Sequence, residues 1–126
     1  MATDLEKAFN QVSTLFNQGK YDELGQFFDE DAIMKRVDDP GSIAGIGNLM
    51  AYLNTHQKPQ NPQFEGVKIT SKKEPDSTQG IVIGTANYRD KKTDKDTIPV
   101  QFTFVFTRDD ARSDWLLINA FAVPTP

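Results

Sequence analysis

The chain has 126 residues, enough for one buried core, and no cysteine, which excludes disulfides, thiolate metal sites and a cysteine nucleophile. Its net charge of −4 argues against a nucleic-acid or anionic-membrane partner, since both call for a basic surface. MATDLEKAF lacks the apolar centre of a targeting segment and no run is apolar enough to span a bilayer, so one domain over residues 1–126, located in the cytoplasm, is the expectation.

Thr3-x-x-Glu6 has the form of a capping box. Leu5, Ala8, Phe9, Val12, Leu15 and Phe16 then recur on one helical face, and Gly19 is a natural stop. Tyr21, Leu24, Phe27 and Phe28 predict a second, shorter helix, weakened by Gly25. Ala32 to Val37 reads as a strand and DDPGS, Asp38 to Ser42, as a turn. Ile46 to His56 is predicted helical and is broken by QKPQNP, Gln57 to Pro62.

The remainder is strand. Phe64 to Ser71, Gln79 to Tyr88, Ile98 to Thr107 and Trp115 to Val123 are β-rich runs separated by EPDSTQ, RDKKTDKD and RDDARSD. Such spacing predicts an antiparallel meander. With helices first and sheet afterwards, the class is α+β, with no βαβ alternation and no phosphate loop. The last strand is apolar on both faces: Leu116, Ile118, Ala120 and Ala122 alternate with Trp115, Leu117, Asn119 and Phe121. A sheet that covers helices on one side and stays apolar on the other predicts a homodimer through the outer sheet face.

This order of elements resembles the nuclear transport factor 2-like superfamily. FNQGKYDELGQFFDEDAIM, AGIGNLMAYL and DWLLINAF are similar to its helix-to-strand segment, its third helix start and its closing strand. The resemblance covers nearly the whole chain and implies a cystatin-like, cone-shaped curved antiparallel sheet packed on three N-terminal helices. The open end of the cone is then a pocket. Members include ketosteroid isomerases, SnoaL-like cyclases, dehydratases and noncatalytic binding or assembly domains, and fold alone does not choose among them.

Matching to ketosteroid isomerase places Arg36 where that enzyme has its Asp base, Val12 at its Tyr and Phe102 at its protonated Asp. Val and Phe transfer no protons, and a protonated Arg is no base at neutral pH, so that activity is not expected. The same matching makes Arg36 a pocket candidate beside Met34, which shares its strand face. Its guanidinium would hold an acidic ligand, or pair with Asp38 or Asp39.

Val12, Phe16 and Tyr52 from the helices are expected to complete the wall with Ala86, Tyr88, Val100, Phe102, Phe104, Ile118 and Ala120 from the strands. Small residues at Gly84, Ala86, Ala120 and Ala122 would leave the volume. The lone His56, with no cysteine, argues against zinc, and no cofactor is called for. The expected role is binding of a small apolar or weakly acidic molecule. The alternatives are an isomerase, cyclase or dehydratase using Asp39 or Tyr88 for proton transfer, and a dimerisation module with a filled interior.

Overall fold

The computed structural model describes residues 4–35, 42–57, 62–90 and 97–125. Helix α1 spans Asp4–Asn17. Leu5, Ala8, Phe9 and Val12 are buried and Leu15 and Phe16 pack beside them, so the apolar stripe is the face turned to the core. Thr3 of the capping box lies outside the described residues, and Glu6 sits 3.6 Å from the Lys72 Nζ. Gly19 ends the helix with φ at +72°, which a side chain would strain. Its N–H donates to the Phe16 carbonyl at 3.1 Å and that of Lys20 to Leu15 at 3.0 Å. This crossed pair satisfies carbonyls that the helix end would otherwise leave open.

Helix α2 is a single turn, Tyr21–Leu24, followed by a 3-10 turn at Gly25–Phe27. Phe28 opens strand β1 (Phe28–Lys35) instead of closing the helix, so the strand begins earlier than Ala32. Strand β2 (Ser42–Ala44) pairs with β1. The turn predicted at Asp38 to Ser42 otherwise falls outside the described residues. Helix α3 (Ile46–Tyr52) continues as a π-helical turn, Leu53–Gln57. Strands β3 (Pro62–Asp76), β4 (Gln79–Asp90), β5 (Ile98–Thr107) and β6 (Leu116–Pro124) follow.

The strands form one curved, open sheet in the order β2-β1-β6-β5-β4-β3. The meander β3 to β6 is antiparallel, whereas β1 joins β6 in parallel. A parallel neighbour needs a long crossover, and here everything from β2 to β5 supplies it. Strand β3 runs past its predicted end because Lys72 to Asp76 are exposed and carry no apolar alternation; the ladder with β4 holds them.

Register shifts interrupt the β1–β6, β3–β4 and β5–β6 ladders, and such bulges bend a sheet. The one in β6 changes which residues face inward. Val105 pairs with Asn119 and Phe106 with Leu117, leaving Ile118 as the additional residue. Trp115 and Leu117 are buried before the bulge, Ala120 and Ala122 after it. Simple alternation had placed Ile118 inward with Ala120; the bulge turns Leu117 inward instead and leaves Ile118 half-buried.

Gly84 also differs from expectation. A Cβ there would strike the Lys68 carbonyl and come within 2.5 Å of the Phe102 ring. The space over this glycine is therefore occupied by its neighbours and adds nothing to a hollow. The helices and the inward strand residues form one core, with Phe9, Phe102 and Phe106 among its buried aromatics.

Candidate functional site

Between α1 and the concave face lies a mainly apolar cavity of about 70 Å³. Its sheet side is built from cross-strand neighbours. Phe104 pairs with Ala120, Ala120 with Met34, and Phe102 with Ala122. Helix α1 contributes Phe9, Val12, Ser13 and Phe16 at helical spacing, and α3 contributes Tyr52. Large rings therefore stand beside Ala86, Ala120 and Ala122, and the methyl side chains leave the gap.

Two aromatic groups bound the space. Phe9 stacks on Phe102 with ring centroids 5.3 Å apart and lies 5.5 Å from Phe104. Phe16 packs 5.2 Å from Phe64, whose ring meets Tyr88 edge-on at 5.4 Å. Contacts of this kind hold rings in fixed orientations beyond what area burial alone does. Val67, 40% exposed, belongs to the wall, so the cavity reaches the surface beside it.

Of the residues expected at the pocket, Val12, Phe16, Met34, Tyr52, Ala86, Tyr88, Phe102, Phe104 and Ala120 lie in this wall. Val100 is fully buried but stands outside the wall, and Ile118 is displaced by the bulge in favour of Leu117. Arg36, Asp38 and Asp39 lie outside the described residues, as does the side chain of His56. Val12 and Phe102, matched to proton-handling positions, present only hydrocarbon to the cavity.

Phe64 and Lys35 were not expected in the wall. Phe64 faces Tyr88 across the β3–β4 ladder, a pairing set by a register that shifts three times along the two strands. Lys35 occupies the last described position of β1, and simple alternation puts it on the opposite face from Met34. It is the only charged residue among the described wall residues; the remaining polar groups there are Ser13, Tyr52 and Tyr88.

One more phenol sits just behind the wall. Tyr21 is 1% exposed, and its hydroxyl has no hydrogen-bond partner among the described residues. Its ring is 5.9 Å from that of Phe16. Burial pushes its pKa up to about 12, and the adjacent Tyr52 phenol adds to the shift. Among the described residues no three His, Cys, Asp or Glu side chains converge as metal ligands would. No described helix is long and apolar enough to cross a membrane.

Neither a family model nor a curated protein matches the sequence. Solved structures do. A nuclear transport factor 2-like protein of unknown function from Shewanella oneidensis is 17% identical, with 95% of this chain and 96% of that chain covered and a TM-score of 0.72. A ketosteroid isomerase-like protein from Erwinia carotovora atroseptica is 14% identical, with 96% and 94% covered and a TM-score of 0.77. A chain from Xanthomonas campestris bears the provisional name of a calcium/calmodulin-dependent protein kinase II association domain. It is 17% identical, with 97% and 86% covered and a TM-score of 0.74. At such identities the likeness establishes the fold: this chain has the nuclear transport factor 2-like, cystatin-like α+β architecture.

Proposed function

We propose that this protein binds a small, mainly apolar molecule in the cone of its sheet. The observation that carries the reading is the cavity itself, a hydrocarbon-lined hollow that opens beside Val67. An enclosed apolar void of about 150 Å³ takes benzene. A cavity of about 70 Å³ suits something narrower, such as an alkyl chain whose end extends towards the opening. Lys35 in the wall is the group that would favour a weakly acidic head. Ala86→Val places two methyl groups in the gap and tests the reading. The parent should bind short aliphatic probes, seen as shifts of the Ala120 and Ala122 methyl resonances, and the variant should not. Native mass spectrometry of protein purified from its own source should retain an added mass. A parent whose methyl resonances ignore the probes, and which carries no added mass, sinks the proposal.

A second reading, compatible with the first, is self-association through the outer sheet face. It is favoured by half-buried apolar residues on that face: Ile81, Val105 and Ile33 in one register row, with Asn119 between the last two, and Ile83 and Phe121 in the next, with Thr103 between them. The association-domain name of one structural neighbour points the same way. A stable pair would cover roughly 800 Å² on each partner. Phe121→Lys should convert a dimer into a folded monomer in sedimentation; a parent that sediments as a monomer removes this reading.

A further inference from the structure

Among the described residues, the cavity meets the surface at one position. Val67 is 40% exposed, whereas every other described wall residue is buried or half-buried. A bulge puts it there. Glu65 pairs with Asn87 and Lys68 with Thr85, so three steps along β3 match two along β4. Gly66 takes a φ of +60°, the left-handed conformation that opens such a bulge and that a side chain would strain. Phe64 faces Tyr88 and belongs to the wall, and plain alternation from it would bring Gly66 and Lys68 to the same face. The additional residue instead sends Lys68 outward beside the exposed Thr85 and turns Val67 to the cavity, followed by Ile69, which packs on the core. A lysine is thereby exchanged for hydrocarbon at the mouth.

We infer that Val67 is a specificity-determining residue of this pocket, and that the guest is an unbranched aliphatic chain lying from the mouth at Val67 across the sheet towards Ala120. The inference rests on the binding reading above and narrows it. Wall residues come from β3, β4, β5, β6 and β1 in turn, and three strand spacings of about 4.8 Å put Ala120 of β6 roughly 14 Å from β3. A volume of about 70 Å³ drawn out along that span is narrow, with room for a single chain and none for a side branch. So small a hollow also leaves one end of its guest at the mouth, where Val67 touches it. Valine is branched at Cβ and stiff about χ1, and the bulge fixes its backbone, so its methyl groups do not swing clear of a thicker guest. An uncharged mouth suits a hydrocarbon end, because a charged group there would lose water and gain no partner.

The test sets n-hexane against its branched isomer 2,2-dimethylbutane, on the parent and on Val67→Ala, with binding read from the Ala120 and Ala122 methyl resonances. The parent should bind n-hexane about tenfold more tightly, the scale on which an apolar pocket senses a single misplaced carbon. Val67→Ala should largely erase that preference by admitting the branched isomer. It should keep its grip on n-hexane and melt with the parent, since the residue is exposed. A second readout needs no variant: in the parent, nuclear Overhauser contacts from bound n-hexane should reach the Val67 methyl groups as well as the buried Ala86 and Ala120. Equal binding of the two isomers by the parent overturns the inference while the binding reading stands. A preference that survives Val67→Ala unchanged overturns it in the same way and assigns the selection to the buried wall. So do contacts confined to the buried alanines. Binding of neither isomer overturns both.

Discussion

Asn17 and Phe64 are joined as two strands would be. The Asn17 amide donates to the Phe64 carbonyl at 3.0 Å, and the Phe64 N–H donates to the Asn17 Oδ1 at 2.9 Å. The Gln63 side chain adds a bond to the Asn17 carbonyl at 2.5 Å. The end of α1 is thereby fastened to the start of β3, and Phe16 and Phe64, one residue away and at the joint itself, are delivered to the same side of the cavity. At neutral pH an amide presents a donor and an acceptor at this spacing, where a carboxylate only accepts.

Asn17→Ala should cost about 2 kcal/mol of unfolding free energy, two partly buried hydrogen bonds at about 1 kcal/mol each. Asn17→Asp keeps the acceptor but sets a carboxylate against the Phe64 carbonyl, so it should be no better than Ala at neutral pH. Denaturant melts of the three proteins check the order; an Asp variant as stable as the parent would contradict the paired geometry.

Gly84→Ala is expected to destabilise by about 2 kcal/mol, within the range for overpacking a filled interior. The new methyl would meet the Lys68 backbone, which cannot swing aside, as well as the Phe102 ring. Gly80→Ala meets the buried side chain of Leu5, its two methyl carbons at 2.6 and 2.8 Å, with no backbone atom among its nearest neighbours, and should cost less. Thermal melts of the pair provide the comparison, and equal costs would argue against a backbone obstruction at Gly84.

Raising the pH should weaken the fold between about pH 10 and pH 12 through Tyr21. An unfolded tyrosine releases its proton near pH 10, whereas the folded one holds it to about 12. Across that window the unfolded state binds fewer protons, so unfolding free energy falls as pH rises. Tyr21→Phe should flatten this part of the profile. Ultraviolet absorbance of the folded parent should show one phenol titrating well above an ordinary tyrosine.

At the acid end, Asp76 and Asp110 act in the opposite sense. The Asp76 carboxylate accepts from the Thr78 hydroxyl at 2.6 Å and its N–H at 2.7 Å, and that of Asp110 accepts from the Arg112 N–H at 2.8 Å. These bonds favour the charged forms and hold both carboxyls below the usual aspartate range. The stability they contribute is present above the ordinary carboxyl pKa and is lost as pH falls through their lowered values. Asp76→Asn should make the melting temperature less sensitive to acid below about pH 4, measured against the parent in the same buffers.

Arg108 ties two loops together. Its Nε donates to the Ser77 carbonyl at 2.7 Å, and its guanidinium lies 3.9 Å over the Trp115 ring. Arg108→Lys removes the planar group that does both, so it should lose most of what Arg108→Ala loses, about 2 kcal/mol. A Lys variant that melts with the parent would show that charge alone suffices.

Much of this protein is legible in one dimension. The stripe from Leu5 to Phe16 and the stop at Gly19 are local facts of spacing and backbone freedom, and the structure keeps them. So are the alternation of Val100, Phe102, Phe104 and Phe106 and the small residues at Ala86 and Ala120. These settle the α+β order, the inward face of β5 and most of the cavity wall, because each depends only on the period of a helix or a strand. The parallel seating of β1 against β6, the bulge that trades Ile118 for Leu117, the ring that closes over Gly84, the Asn17–Phe64 clasp and the Tyr21 hydroxyl, without a partner among the described residues, have no such signature. Each joins residues distant in the chain or depends on what is missing nearby, and only packing in three dimensions brings those atoms together or leaves one of them alone.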